Sequence, residues 1–180
     1  MAFNVAEFRA NMIGDGARPN LFSVSLTFPT IASNSTAAGQ KVTFMAKTAQ
    51  LPGSTVGMVS VPYFGRELKF AGNRTFPDWT ITIINGEDFT IRNTMESWLN
   101  AINSHAGNVR DSAAKSSTAY TVDAEVIQYG KTGNELKKYK FVGLFPIDLA
   151  PIDLDWGSND SIEEYAATFA FQYWESNTTT

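Results

Sequence analysis

Three stretches of this chain alternate apolar and polar side chains with a period of two. In residues 20–28, Phe22, Val24, Leu26 and Phe28 fall on one face and Ser23, Ser25 and Thr27 on the other. In 78–85, Trp79, Ile81 and Ile83 oppose Thr80 and Thr82. From Ser161 onward, Tyr165, Ala167, Phe169, Phe171 and Tyr173 oppose Ala166, Thr168, Ala170 and Gln172. Such alternation marks strands with one face buried and one wet. Residues 42–48, 120–129 and 136–145 also read as strands, the first paired with 20–28 in a hairpin with a long loop, and the last two joined by a turn at 130–134. Only one segment has helical periodicity. Ile91, Met95, Trp98 and Ile102 line one face of a helix predicted over about 88–105, with Asp88 as N-cap and His105 in the last turn. Many strands joined by hairpins need two packed layers or a closed barrel. The predicted class is mainly β: two packed antiparallel sheets in a small sandwich or barrel, with one flanking helix.

At 180 residues the chain reads as one domain, 1–180, able to bury roughly 70% of its unfolded surface without staples. Residues 1–16 and the tail 176–180 read as flexible or dependent on assembly. Residues 31–40 and 108–119 are small and polar and read as loops. Pro146 and Pro151 open two near-copies of Pro-Ile-Asp-Leu, which argue for a connector over 146–155 rather than a central strand. The segment 51–76 stands apart. Pro52, Gly53, Gly57, Pro62, Gly65 and Gly72 punctuate a run rich in apolar residues, with β segments at about 54–61 and 63–71. It reads either as a self-packed hairpin or as a projecting arm that packs on another chain, since exposed apolar patches mark interaction sites.

The chemistry of ligands and catalysis is sparse. Cys is absent and His105 is the only histidine, so thiolate metal sites, disulfides and His-rich sites have no residues to build them. Gly130-Lys131-Thr132 ends like a phosphate loop, but Glu125 stands where the upstream glycine is required. Asp153, Asp155, Asn159 and Glu164 match calcium-loop spacing, yet the glycine is Gly157, one place early. Gly14-Asp15-Gly16 lacks the third glycine of a dinucleotide site. His105 has no partner that the sequence can nominate as a base's companion. No cofactor or metal is expected, and no catalytic residue. No apolar run is long enough for a membrane helix, and Met1–Glu7 has no signal-peptide pattern; the chain reads as soluble and made in the cytosol. The net charge is −4. Beyond Lys140 there is no Lys or Arg, but Asp148, Asp153, Asp155, Asp160, Glu163, Glu164 and Glu175 follow. A protein that grips nucleic acid needs a basic face, so tight DNA binding is disfavoured.

Several runs identify a likeness. They are Ala17-Arg18-Pro19-Asn20-Leu21-Phe22, Ala49-Gln50-Leu51-Pro52-Gly53, and Val61-Pro62-Tyr63-Phe64-Gly65-Arg66. Most specific is Gly72-Asn73-Arg74-Thr75-Phe76-Pro77-Asp78-Trp79, followed late in the chain by Leu154-Asp155-Trp156 and Phe171-Gln172-Tyr173-Trp174. In this order the chain resembles the tail tube proteins of contractile-tailed bacteriophages, over about 15–175. Arg18, Pro19, Gly72, Asn73, Arg74, Phe76, Trp79, Trp156 and Trp174 carry that resemblance. It implies a structural virion protein, assembled in the host cytoplasm into hexameric rings that stack as a hollow tube. One sheet of each subunit would join a barrel around the lumen, through which genome DNA passes without tight binding. Sheath, baseplate and terminator proteins are the implied partners. The arm then becomes a ring-stacking element carried by Val56, Met58, Val59, Val61, Tyr63 and Phe64. A type VI secretion tube protein, or another ring-forming tube protein, shares the expected fold. A small-ligand β-barrel is the reading from a different class, and it would require an enclosed apolar pocket and a stable monomer.

Overall fold

A computed structural model describes residues 4–179. The alternating segments become strands with their apolar faces inward. In β1 (Phe22–Leu26) Val24 and Leu26 are buried; in β5 (Trp79–Ile84) Trp79, Ile81 and Ile83; in β8 (Glu164–Ala170) Tyr165, Ala167 and Phe169. The other strands are β2 (Ala46–Ala49), β3 (Thr55–Tyr63), β4 (Arg66–Thr75), β6 (Val122–Tyr129), β7 (Glu135–Leu149) and β9 (Tyr173–Ser176). Among the described residues four α-helices accompany them: α1 (Val5–Asn11), α2 (Ser35–Met45), α3 (Thr90–Ile102) and α4 (Ser117–Tyr120).

Seven strands form one antiparallel sheet in the order β1-β6-β7-β8-β5-β2, with β9 beside β7. The long β7 joins its two halves. Residues up to Leu144 pair with β6, and Phe145–Leu149 pair with β8. The halves share one core, in which the Trp79 ring lies 4.4 Å from Phe141 and 5.7 Å from Phe169. Helix α3 adds Ile91, Met95 and Trp98, as its 3.6-residue stripe predicts. The Trp98 indole donates to the Tyr120 carbonyl at 2.8 Å, which satisfies its only donor inside the core. The fold is mainly β as expected, but the subunit's sheet does not close into a barrel: β1 and β2 are its two ends.

Several local expectations are overturned. Residues 35–45 form α2 rather than a polar loop and the start of a strand. Ala38 and Val42, one turn apart, are fully buried, and Gly39 lets the helix ride close to β1, where a Cβ would lie 3.3 Å from the Leu26 carbonyl oxygen. The remaining strand, β2, pairs with β5, and β1 pairs with β6, so there is no β1–β2 hairpin. Pro146 is not in a connector but inside β7. From Phe145 onward that strand has a partner on one side only, so the missing N–H of Pro146 costs little. The closing strand is broken at Phe171-Gln172, after which Tyr173 is exposed. Helix α3 starts at Thr90, with Phe89 at its N-cap position; Asp88 lies one residue earlier and accepts from Thr90. His105 lies beyond the helix end. The segment 108–119 contains two short helical turns, Ser112–Ala114 and the start of α4. In the N-terminal segment, α1 buries none of its residues.

Candidate assembly surface

Strands β3 and β4 form a two-stranded sheet of their own, paired with no other strand among the described residues. The turn at its tip is two residues, Phe64 and Gly65, between the paired Tyr63 and Arg66. Both turn residues have positive φ, 44° and 82°, the geometry that matches strand twist in tight hairpins. Gly65 adopts it freely. Phe64 does not, since a bulky side chain in the left-handed region is strained. Its ring is 93% exposed and packs edge-on against Tyr63 at 4.6 Å.

Register sorts the hairpin into two faces. Val59, Val61 and Tyr63 stand opposite Phe70, Leu68 and Arg66 on one face; Ser60 and Pro62 stand opposite Lys69 and Glu67 on the other. The Ser60 hydroxyl donates to the Glu67 carboxylate at 3.0 Å on that polar face. Among the six residues expected to carry stacking, Val59, Val61 and Tyr63 therefore share a face. Met58 belongs to the other face, Val56 lies beyond a bulge between Val56 and Met58, and Phe64 caps the tip. Leu68 and Phe70 complete the apolar face and were not among the six, because only the register shows them beside Val61 and Val59. All eight are open to solvent, from 44% at Leu68 to 93% at Phe64. At the bulge, Gly72 meets Gly57 backbone to backbone: a Cβ on Gly72 would lie 3.1 Å from the Gly57 carbonyl.

Two tryptophans fix the root of this arm. The Trp79 indole N–H donates to the Gln50 carbonyl at 2.9 Å, and the Trp174 indole N–H donates to the Gly53 carbonyl at 2.9 Å. Phe76 packs between Phe171 and Trp174, with centroids at 6.0 and 6.5 Å. The arm is thus aimed by the core while its own apolar face stays uncovered. Isolated two-stranded hairpins are marginal in water, and an exposed apolar face of this kind marks a contact surface.

A family model described as phage tail tube protein matches residues 17–177. The chain belongs to the phage tail tube protein family. It is similar to tail tube protein gp19 of Enterobacteria phage T4, with 33% identity over 168 residues that cover 93% of this chain and 96% of that protein. The tail tube protein of Serratia phage KSP90 is 29% identical over 169 residues, 93% of each chain. Among solved structures, the sheath–tube complex of an extracellular contractile injection system has a chain with TM-score 0.60 and 14% identity, covering 98% of this chain and 99% of that one. A chain from the cap that terminates the anti-feeding prophage tube has TM-score 0.64 and 15% identity, over 89% and 90% of the two chains. These solved structures establish the shared fold.

The other residues of the tail tube likeness are dispersed. Gly72, Asn73 and Arg74 build the bulged end of the arm, and Phe76, Trp79 and Trp174 its root. Arg18 and Pro19 lie exposed just before β1, where the Arg18 carbonyl accepts from Leu21 at 3.3 Å. Trp156 is fully exposed in the segment between β7 and β8. Among the described residues no group of three or more His, Asp or Glu lies close enough together to hold a metal ion. His105 lines a groove of about 380 Å³ with Arg92, Glu96 and Asp148, and no serine lines it. The charged outer face of β6 and β7 is self-paired: Lys138 meets Glu125 at 2.8 Å and Lys140 meets Asp123 at 2.9 Å. The Asp123 carboxylate holds the Lys140 ammonium above its ordinary value.

Proposed function

We propose that this chain is the structural subunit of a phage tail tube. Copies associate into hexameric rings through the open edges of the sheet, where unpaired backbone groups of an end strand invite another strand. Rings stack through the β3–β4 arm into a hollow tube. Genome DNA passes through that tube during infection without tight binding. The subunit has no catalytic role and needs no cofactor. It acts in the virion, after assembly in the host cytoplasm. Sheath, baseplate and terminator proteins are its partners; solved structures of the same fold come from assemblies named for those parts.

The observation that carries this reading is the apolar face of Val59, Val61, Tyr63, Leu68 and Phe70, exposed on a hairpin whose root is fixed by Trp79 and Trp174. A rigid apolar projection serves an assembly better than a monomer. Burying one such side chain contributes roughly 1.5–3 kcal/mol, repeated at every copy in a ring junction. Val59→Asp tests it by negative-stain microscopy of purified full-length protein. Long tubes should disappear while rings or monomers remain, and the subunit's melting midpoint should stay within about 2 °C, since exposed substitutions rarely exceed 0.5 kcal/mol. Tubes of unchanged length, or an unfolded subunit, would overturn the assignment of the arm.

A further inference from the structure

The surface that receives the arm can be sought in the same chain, because a head-to-tail contact uses two different patches of one subunit. The arm offers an aromatic tip, Phe64, beside Arg66, and two further cations, Lys69 and Arg74. Among the described residues none of these three cations pairs with a carboxylate, while the arm's one acid, Glu67, is tied to Ser60. The opposite chemistry lies in residues 151–163, between β7 and β8. Leu154, Trp156 and Ile162 are exposed by 80%, 100% and 75%. Asp153, Asp155 and Asp160 have no cationic partner among the described residues, whereas the neighbouring Glu164 pairs with Lys47 and Glu163 accepts from Asn85. There is no Lys or Arg anywhere in the segment.

The segment is a shaped surface. The Asp155 carboxylate accepts from the Gly157 N–H at 3.0 Å and the Asp155 carbonyl from the Ser158 N–H at 3.1 Å, which holds Trp156 at the head of a turn. A groove of about 340 Å³ runs beside it, lined by Ile152, Leu154 and Ile162 together with Asp153, Asp155 and Glu163. Apolar side chains flanked by acids match an aromatic tip with Arg66 beside it and Lys69 three residues further along β4, while Arg74 lies at the far end of the arm. Tryptophan and arginine are also the residues that most often dominate interface energetics, and arginine stacks on indole faces.

We propose that the 151–163 segment is the docking surface for the arm of a second copy of this chain, in the adjacent ring, with Phe64 and Arg66 entering the groove beside Trp156. The proposal rests on the reading of the arm as the ring-stacking element, and it names the receiving surface. Complementary charge at such a contact fixes register as well as attraction.

The absence of cysteine makes the test clean. Phe64→Cys and Trp156→Cys are prepared as separate full-length proteins and mixed under assembly conditions with a short bis-maleimide linker. Covalent dimers should form in the mixture and at least tenfold less in either protein alone. A double Asp153→Lys, Asp155→Lys variant should shorten tubes at least tenfold, as should Arg66→Glu with Lys69→Glu, and combining all four should restore length. Circular dichroism should show every variant folded, because each altered residue is exposed. If the arm reversal abolishes tubes while the loop reversal leaves them intact, the arm stacks elsewhere and this proposal falls alone. If neither reversal changes tube length, the stacking role of the arm falls as well. If the loop reversal abolishes tubes but the four-fold variant does not recover and no dimers form, the segment serves a different contact. If tubes form normally and only sheath uptake is lost, the segment belongs to the sheath interface. Both of these results overturn the proposal.

Discussion

Replacing Trp79 by Ala removes the side chain that joins the two halves of the sheet. The ring is 2% exposed, lies 4.4 Å from Phe141 and 5.7 Å from Phe169, and donates to Gln50. A buried Trp→Ala change costs about 3–5 kcal/mol, the lower end applying where neighbours collapse into the space. Collapse is restricted here, because Phe141 and Phe169 belong to different strands that are held in register on both sides. The lost hydrogen bond adds little, since Gln50 is exposed and its carbonyl can turn to water. For 180 residues the unfolding entropy is about 0.38 kcal/mol/K, so the midpoint should fall by about 8–13 °C. The assay is a thermal melt of the unassembled subunit, at concentrations where sedimentation gives a monomer. Trp79→Phe serves as the control: it keeps an aromatic ring, so most of the packing survives, and with a smaller cavity than the Ala variant its midpoint should fall by less than that of Trp79→Ala. A Trp79→Ala shift below about 3 °C would refute the argument that this ring cements the two halves.

Three further outcomes are expected. Gly72→Ala pushes a methyl to 3.1 Å from the Gly57 carbonyl, so the facing backbone must give by a few tenths of an ångström at the bulge; tube length should fall while the subunit's midpoint stays within about 2 °C, checked by microscopy and melting. The Asp88 carboxyl is held down to about 2 by the Lys41 ammonium and by the Thr90 hydroxyl, an ion pair that ties α2 to the start of α3. Its contribution to stability is full well above the ordinary value near 4 and is lost as pH falls through about 2, so the midpoint gap between wild type and Asp88→Asn should be present at pH 6 and much reduced at pH 2. Duplex DNA should bind assembled tubes no more tightly than the micromolar non-specific range at about 150 mM salt, measured by fluorescence titration; a nanomolar value would contradict a conduit that lets DNA pass.

The parts of the fold legible in the sequence are those set by local periodicity. Val24/Leu26, Trp79/Ile81/Ile83 and Tyr165/Ala167/Phe169 announce their strands because burial on one face leaves a period of two. Helix α3 announces itself by the stripe Ile91, Met95, Trp98. Helix α2 does not, because its buried face is made of Ala38 and Val42 and its close approach of Gly39, residues too small to write a strong pattern. The spacing of Ala38 and Val42 was the available signal, and the surrounding Ser, Thr and Asn masked it. Strand order was beyond reach for another reason. Whether β1 takes β2 or β6 as its neighbour depends on contacts about a hundred residues apart, such as the Ser23 hydroxyl within 3.1 Å of the Tyr129 hydroxyl.

The arm shows the same division at the level of function. Its apolar character between glycines and prolines is written locally, so the segment stands out in the sequence. Which of its side chains act together is not, because the cross-strand register sets Val59 and Val61 opposite Phe70 and Leu68, and the bulge between Val56 and Met58 takes Val56 out of the alternation that places Met58 and Val59 on opposite faces. Its direction is written even further away. The carbonyls of Gln50 and Gly53 are held by Trp79 and Trp174, 29 and 121 residues distant in the chain. Those two rings also line or flank the core, so a single set of aromatic residues stabilises the subunit and aims the projection. Trp79 is buried at the root and Trp174 half-buried there, whereas Trp156 is fully exposed. A substitution at the root should weaken the fold and misdirect the arm together, whereas one on the arm's apolar face should leave the fold and remove only the contact.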